Sequence, residues 1–311
     1  MILATAITAE RPVVAVGEAL VEIAPDRGAW RLGHGGDTLN TAVYLRRLGI
    51  PTAYFTALGA DPYSGEMRDA WREEGLDVSM VLTDARRLPG LYAIRTNGRG
   101  ERRFFYWRSN SAARRLFSLR GIETATEAVS RAPLLYLSGI TLSLFRRKTL
   151  GRLLALVASV RASGGAVAFD PNFRPALWAN APAARSAIEA IAPHLACVLA
   201  TDVDELSLYG DGSERALGRW RDLGVDEVVI KMGAEGCLLM AGDVEARIPA
   251  REVPRVIDTT GAGDSFNAGY LAARLRGDSA KEAALQAHAL AAQVIQHPGA
   301  IMPRDAGKSC S

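Results

Sequence analysis

Val256-Ile257-Asp258-Thr259-Thr260-Gly261-Ala262-Gly263-Asp264-Ser265-Phe266-Asn267-Ala268-Gly269-Tyr270 is the stretch on which the reading of this 311-residue chain turns. It opens on β-branched residues, passes through three small ones and enters a segment whose apolar residues, Phe266, Tyr270, Leu271 and Leu275, recur at helical spacing. A loop therefore empties into a helix. Gly261, Ala262 and Gly263 allow successive N–H groups to point the same way at the helix start, where donors lack intrahelical partners and the dipole is positive. Such a terminus suits an anion. Asp264, in the same turn, has an ordinary reading as a favourable charge at a helix start. Beside an anion cradle it is a poor phosphate ligand but a good acceptor for a hydroxyl proton. A base next to a phosphate nest points to phosphoryl transfer to an alcohol.

The run from Asp258 through Gly269 resembles, without a gap, the C-terminal signature of the ribokinase-like (PfkB) family of sugar and nucleoside kinases. The resemblance implies that Asp264 is the catalytic base and that Gly261, Ala262 and Gly263 form the anion hole. It implies ATP and Mg²⁺ as cofactors, with K⁺ as a further candidate beside the loop near Asp258 and Thr260. It also implies the fold: α/β, a doubly wound, mostly parallel sheet flanked by helices, with a small β-sheet lid.

Composition agrees with one large α/β unit. Hydrophobic residues make up 49% of the chain, enough for a sizeable core, and we expect a single kinase domain over residues 1–311. The net charge of +3 is near balance, and although residues 99–115 are locally basic, the chain carries no general nucleic-acid footprint. Cys197, Cys237 and Cys310 are far apart and odd in number, which fits a reduced cytoplasmic protein. Residues 1–11 lack a basic leader, and no apolar run reaches the length of a membrane span.

Working back along the chain, Val13-Val14-Ala15-Val16 reads as a buried strand ended by Gly17. Gly33-His34-Gly35-Gly36-Asp37-Thr38-Leu39-Asn40 is a second glycine loop, leading into a helix over 41–48 that stops at Gly49. From residue 134 onward strands and helices alternate, which argues for a parallel sheet covered on both faces. The early chain breaks this rhythm. Tyr92-Ala93-Ile94-Arg95 and Arg103-Phe104-Phe105-Tyr106-Trp107 flank Asn97-Gly98-Arg99-Gly100, a hairpin signal. Residues 20–32 and 88–108 are therefore the expected lid segments, and an aromatic lid sheet with free edges favours a homo-oligomer.

Gly35-Gly36-Asp37-Thr38-Leu39-Asn40 alone would be a strand-to-helix turn. Its similarity to the family's N-terminal signature makes Gly35, Gly36, Asp37 and Asn40 candidates for sugar hydroxyls, which need polar partners once buried. Phe169-Asp170-Pro171-Asn172-Phe173-Arg174 follows a strand, where open α/β sheets seat ligands. Arg174 is the candidate for neutralising charge in the transition state or for gripping an acidic substrate, and the resemblance implies Asn172 near the phosphates and the acceptor. Lys231-Met232-Gly233-Ala234-Glu235-Gly236 resembles the family's nucleotide loop, with Lys231, Gly233 and Gly236 at matching positions. In Thr201-Asp202-Val203-Asp204-Glu205 the resemblance implies Glu205 organising Mg²⁺ through water, while Asp202 stands where the family usually has Asn.

Tyr106 and Arg108 lie two apart and so share a face of an extended strand. With Tyr92 opposite, they offer two phenols and a guanidinium, a set suited to a polyhydroxylated acid. The runs Leu88-Pro89-Gly90-Leu91-Tyr92 and Phe105-Tyr106-Trp107-Arg108 are similar to those of family members that phosphorylate a 2-keto-3-deoxy sugar acid. The small-molecule partners expected are thus a sugar acid and ATP, with no nucleic acid and no membrane. The alternatives are a fructokinase- or ribokinase-type member, or a catalytically silent sugar-acid binder.

Overall fold

The computed structural model describes residues 8–26, 28–96 and 102–304. The turn expected at Asn97 to Gly100, and Cys310, lie outside the described residues. Among the described residues the strands run in chain order as β1 (Val13–Val16), β2 (Leu20–Asp26), β3 (Ala29–Gly35), β4 (Thr52–Gly59), β5 (Val81–Asp84), β6 (Gly90–Thr96), β7 (Arg102–Trp107), β8 (Leu134–Ser138), β9 (Ala166–Asp170), β10 (Cys197–Thr201), β11 (Glu227–Lys231), β12 (Cys237–Ala241) and β13 (Val244–Ile248). The helices are α1 (Asp37–Arg47), α2 (Pro62–Glu73), α3 (Ile122–Ser130), α4 (Gly139–Leu144), α5 (Lys148–Ala162), α6 (Ala181–Ile191), α7 (Asp202–Tyr209), α8 (Ser213–Asp222), α9 (Ala262–Arg276) and α10 (Ala280–Val294).

The large sheet has the order β13-β12-β11-β10-β9-β8-β1-β4-β5. Every pairing from β5 to β11 is parallel; only β11 with β12 and β12 with β13 are antiparallel. Alternation along each strand sends its side chains to opposite faces. Val14 and Val16 of β1 join the cluster that holds α3, α5, α6 and α8, whereas Val13 and Ala15 join the one that holds α1, α2, α9 and α10. Helices thus cover both faces, the doubly wound arrangement expected from the alternation. Trp71 on α2 and Trp220 on α8 are fully buried anchors, one on each face.

Local chemistry sets the helix ends. Asp61 accepts from Ser64 N at 3.0 Å ahead of Pro62, and Ser279 with Glu282 forms a capping box at the start of α10. One boundary differs from the sequence reading: α1 begins at Asp37, so Asn40 lies inside its first turn, while Gly35 ends a strand. The small sheet, β3-β2-β6-β7, stands apart from the large one. Its register pairs Tyr92 with Tyr106 directly, which puts both phenols on one face. The other face carries Trp30, Leu32, Phe105 and Trp107, all exposed.

Candidate active site

All the polar motifs converge at the carboxyl ends of the parallel strands, where α9 also begins. Gly261 is the N-cap of α9 with φ of 77°, a left-handed conformation that favours glycine. A Cβ there would also lie 2.6 Å from the Ala300 carbonyl oxygen. Gly36 is demanded for a different reason: its backbone is extended, but a Cβ would strike the Glu18 carbonyl oxygen. The first seats the start of α9 against the chain that follows α10, and the second seats the start of α1 against the chain that follows β1.

Asp264 meets Asn40 there. Asn40 Nδ2 donates to Asp264 Oδ2 at 2.8 Å, joining residues 224 apart, and Thr41 Oγ1 donates to the Asp264 carbonyl at 3.2 Å. Burial pushes the Asp264 carboxyl up to about 7, Asp37 and Asp170 add to the rise, and Asn40 and Lys231 pull against it. A carboxylate poised near neutrality is matched to accepting and releasing a proton at that pH.

Asp170, at the end of β9, is a hub that the sequence reading left without a role. Its Oδ1 accepts from Asn172 N at 3.0 Å, and its Oδ2 accepts from Lys231 Nζ at 3.1 Å and from Asn267 Nδ2 at 2.7 Å. Asn267 Nδ2 also donates to Tyr136 Oη at 2.9 Å. The signal available for Asp170 was its position as the last residue of an apolar strand. Tyr136 carries no signal in the sequence, and Asn267, although inside the signature run, was given no role.

Several of the expected site residues have partners within the chain that the spacing did not show. Asn172, expected near the phosphates and the acceptor, donates its side-chain amide to Asp37 Oδ2 at 2.8 Å. Its φ of 34°, rare outside glycine, turns it in that direction. Lys231 was read as part of a nucleotide loop, yet its ammonium is buried between Asp170 and Asn267, whose Oδ1 accepts at 2.8 Å. Gly233 and Gly236 do form the turn after β11, with φ of 57° and 95°. Glu205 was read as a metal-organising carboxylate. It is engaged on both oxygens, by Arg219 and by Trp220 Nε1 at 2.9 Å, so its charge is spent inside the domain. Asp202 opens α7 and accepts from Val203 N at 2.7 Å. Arg174 pairs with Asp204 at 3.1 Å while remaining half exposed at the cleft.

The lid residues are also more committed than expected. Tyr92 Oη donates to Glu22 Oε2 at 2.5 Å, and Arg31 bridges the other oxygen of Glu22 at 3.3 Å. Arg108, expected to face a polyhydroxylated acid, is 7% exposed and ion-paired with Glu18, which is 1% exposed; Nε donates at 2.6 Å. Tyr106 remains the exposed phenol of the set. Burial raises its pKa, Arg108 and Arg174 lower it and Asp37 raises it, so the lid strand and the body face each other across this cleft. Removing one partner of a buried pair leaves an uncompensated charge, so Arg108→Ala should cost roughly 3–5 kcal/mol of stability. The Glu18→Gln/Arg108→Met double variant should recover most of it; denaturant melts of the single and double variants check this.

A model of the pfkB family carbohydrate kinases matches residues 9–306. The 2-dehydro-3-deoxygluconokinase of Escherichia coli strain K12 is 42% identical over 306 residues, covering 95% of this chain and 98% of that protein. The enzyme of that name from Dickeya dadantii strain 3937 is 41% identical over 308 residues, covering 94% and 97%. Among solved structures, aminoimidazole riboside kinase from Salmonella enterica, complexed with aminoimidazole riboside and an ATP analog, superposes with a TM-score of 0.79 at 26% identity, covering 95% of this chain and 98% of that one. This chain belongs to the PfkB family of carbohydrate kinases.

Proposed function

We propose that this protein transfers the γ-phosphoryl group of ATP to the primary hydroxyl of 2-dehydro-3-deoxy-D-gluconate. The observation that carries the reading is the 2.8 Å contact of Asn40, from one signature, with Asp264, from the other, at the amino terminus of α9. The substrate assignment is supported by the 42% and 41% identical relatives, and the nucleotide by the ATP analog in the riboside kinase.

In this reading Asp264 takes the proton as the hydroxyl oxygen bonds to phosphorus and the bond to the ADP oxygen breaks. The amides of Gly261, Ala262 and Gly263 receive charge developing on the phosphoryl oxygens. Asp37, held by Asn172, and Asn40 orient sugar hydroxyls. Gly35 and Gly36 let the chain approach the sugar closely. Tyr92 and Tyr106 line the lid side, and Arg174, half exposed at the cleft, supplies the positive charge that favours an acid, while Arg108, neutralised by Glu18, fixes the strand that carries Tyr106. Gly233 and Gly236 allow the chain to approach the nucleotide.

Mg²⁺, when bound, neutralises the β- and γ-phosphate oxygens. Among the described residues no group of three or more His, Cys, Asp or Glu side chains is arranged to hold a metal. The ion would come as a companion of the triphosphate and its waters, with Asp202 the carboxylate of the motif that is not paired with an arginine. A monovalent cation such as K⁺ beside Asp258 and Thr260 is part of the proposal. Replacing K⁺ by tetramethylammonium in the assay should then slow turnover.

The exposed outer face of the lid, with Trp107 at 62% exposure, and the free edges of β3 and β7 support association of two copies through their lids. Free, buried Cys197 and Cys237 support a cytoplasmic setting, and among the described residues no helix is long and apolar enough to cross a membrane.

Incubation of the protein with ATP, Mg²⁺ and 2-dehydro-3-deoxygluconate should give a phosphate monoester whose proton-coupled ³¹P signal is a triplet, because a primary ester couples to two protons. A doublet would move the reaction to a secondary hydroxyl, and no ester at all would remove the kinase reading.

A further inference from the structure

The ammonium of Lys231 sits at the end of β11, buried, 3.6 Å from the point a Cβ on Gly263 would occupy. It lies behind the loop whose amides were assigned above to the phosphoryl group. Its two hydrogen bonds run to Asp170 at the end of β9 and to Asn267 on α9, one turn beyond Asp264. Asn267 closes the triangle, donating to Asp170 and to Tyr136 at β8. Three adjacent groups from two strands and the helix thus share one charge pair. The first turn of α9 is keyed to the sheet through it.

Rotation of α9 about its axis would swing Asp264 away from Asn40 and re-aim the Gly261 to Gly263 amides. The Asn267 contacts oppose that rotation with charge-assisted hydrogen bonds in a dry interior, where each is stronger than in water. The ammonium also places a full positive charge on the protein side of the loop. Through-space attraction of this kind is strong where water is excluded.

Resting on the kinase reading above, we infer that Lys231 is a positioning residue for phosphoryl transfer: it fixes the first turn of α9 through Asp170 and Asn267 and supplies positive charge behind the anion loop, without contacting the nucleotide. The charged and titratable groups facing Asp264 are Asp37 from α1, Asp170 from β9, Lys231 from β11, Tyr136 from β8 and Tyr44 from α1. Of these only Lys231 is a cation. Its attraction lowers the Asp264 pKa against burial and the two carboxylates.

The test is the pH dependence of kcat/KM, with KM for ATP, in the wild-type chain and in Lys231→Met, Lys231→Gln and Lys231→Arg. Loss of the cation should lower kcat by about tenfold or more. It should move the acid limb upward by about one pH unit. KM for ATP should stay within about threefold. Lys231→Arg should bring the limb back toward its wild-type position. An increase of about tenfold in KM for ATP with kcat and the limb unmoved would make Lys231 a nucleotide contact. A lower kcat with the limb unmoved would reduce it to a packing role. Either result overturns the inference.

Lys231→Met strands the Asp170 carboxylate and can fail to fold; Lys231→Gln keeps a donor for it and carries the same readouts. Should the wild-type chain transfer no phosphoryl group, the kinase reading fails separately. The ¹³C titration of the Asp264 carboxyl in the wild type and in Lys231→Gln then decides the electrostatic role. An upward shift in the variant supports it, and an unchanged titration overturns it.

Discussion

Asp264→Asn is expected to lower kcat by about 10²–10⁴-fold with little change in KM for either substrate, because the group removed acts on a proton in flight rather than on bound ground states. The wild-type pH profile carries the same information. Burial pushes the Asp264 carboxyl up to about 7, and only the ionised form accepts a proton, so kcat/KM should fall about tenfold per pH unit below that value. The variant should lack this limb. Thermal melts separate the chemical effect from a folding effect, and the sign is definite. A carboxyl whose folded pKa lies above its unfolded value costs stability as pH rises from the unfolded value toward 7. The amide is free of that cost, so Asp264→Asn should melt no lower than the wild type at pH 8. A variant that loses activity and also unfolds early would instead identify Asp264 as a structural cap.

Gly261→Ala is the second large expectation. At φ of 77° the added Cβ would approach the Ala300 carbonyl oxygen to 2.6 Å and its Cα to 2.8 Å. Both contacts are backbone and neither can rotate away. Forcing a side chain into this conformation costs of order 1–3 kcal/mol. Relief of the clash would tilt the amides at the start of α9, and losing one such donor costs about 10²–10³-fold in kcat. Gly263→Ala is the matched control. A Cβ there meets only the Lys231 ammonium at 3.6 Å, an ordinary contact, so it should be several-fold milder in both stability and rate. Steady-state kinetics and melts of the two variants side by side check this. Equal effects would show that the loop requires smallness in general and not the left-handed turn at Gly261.

The sheet was legible because the strands from β8 to β11 are short apolar runs separated by helical spacing, a pattern that parallel, doubly covered sheets impose. β12 and β13 were missed. The apolar β12 follows a glycine turn and reverses direction, and β13, Val244–Ile248, is largely exposed at the sheet edge and lacks the buried signature. The small sheet was legible in its aromatic strands; its exact span was not, since Gly33 and Gly35 looked like loop residues yet end β3.

The site divides in the same way. Asp264, the glycines ahead of it, and Asp37 with Asn40 are marked by local spacing at helix starts, and local spacing is visible in a sequence. Which charge meets which is not. Arg108 finds Glu18 at a separation of 90 residues, Lys231 finds Asp170 at 61, and Glu205 is taken by Arg219 on the next helix. In each of these pairs the fold buries the carboxylate, and a buried charge needs a partner. The sequence shows the charge, and only the packing shows the partner. For that reason Arg108, Lys231 and Glu205 were read for their ligands without the partners they have inside the chain.

The claim at the centre is that this chain phosphorylates a sugar acid using ATP. The most direct measurement is ADP release by the purified protein with Mg²⁺ATP, comparing 2-dehydro-3-deoxygluconate with fructose, ribose and adenosine as acceptors. The expected result is a kcat/KM for the keto acid exceeding that for each neutral acceptor by about 10²-fold or more, as follows when polar groups of a site are paired by one substrate and left unpaired by the others. Turnover of fructose or ribose at a kcat/KM equal to or above that of the keto acid would contradict it.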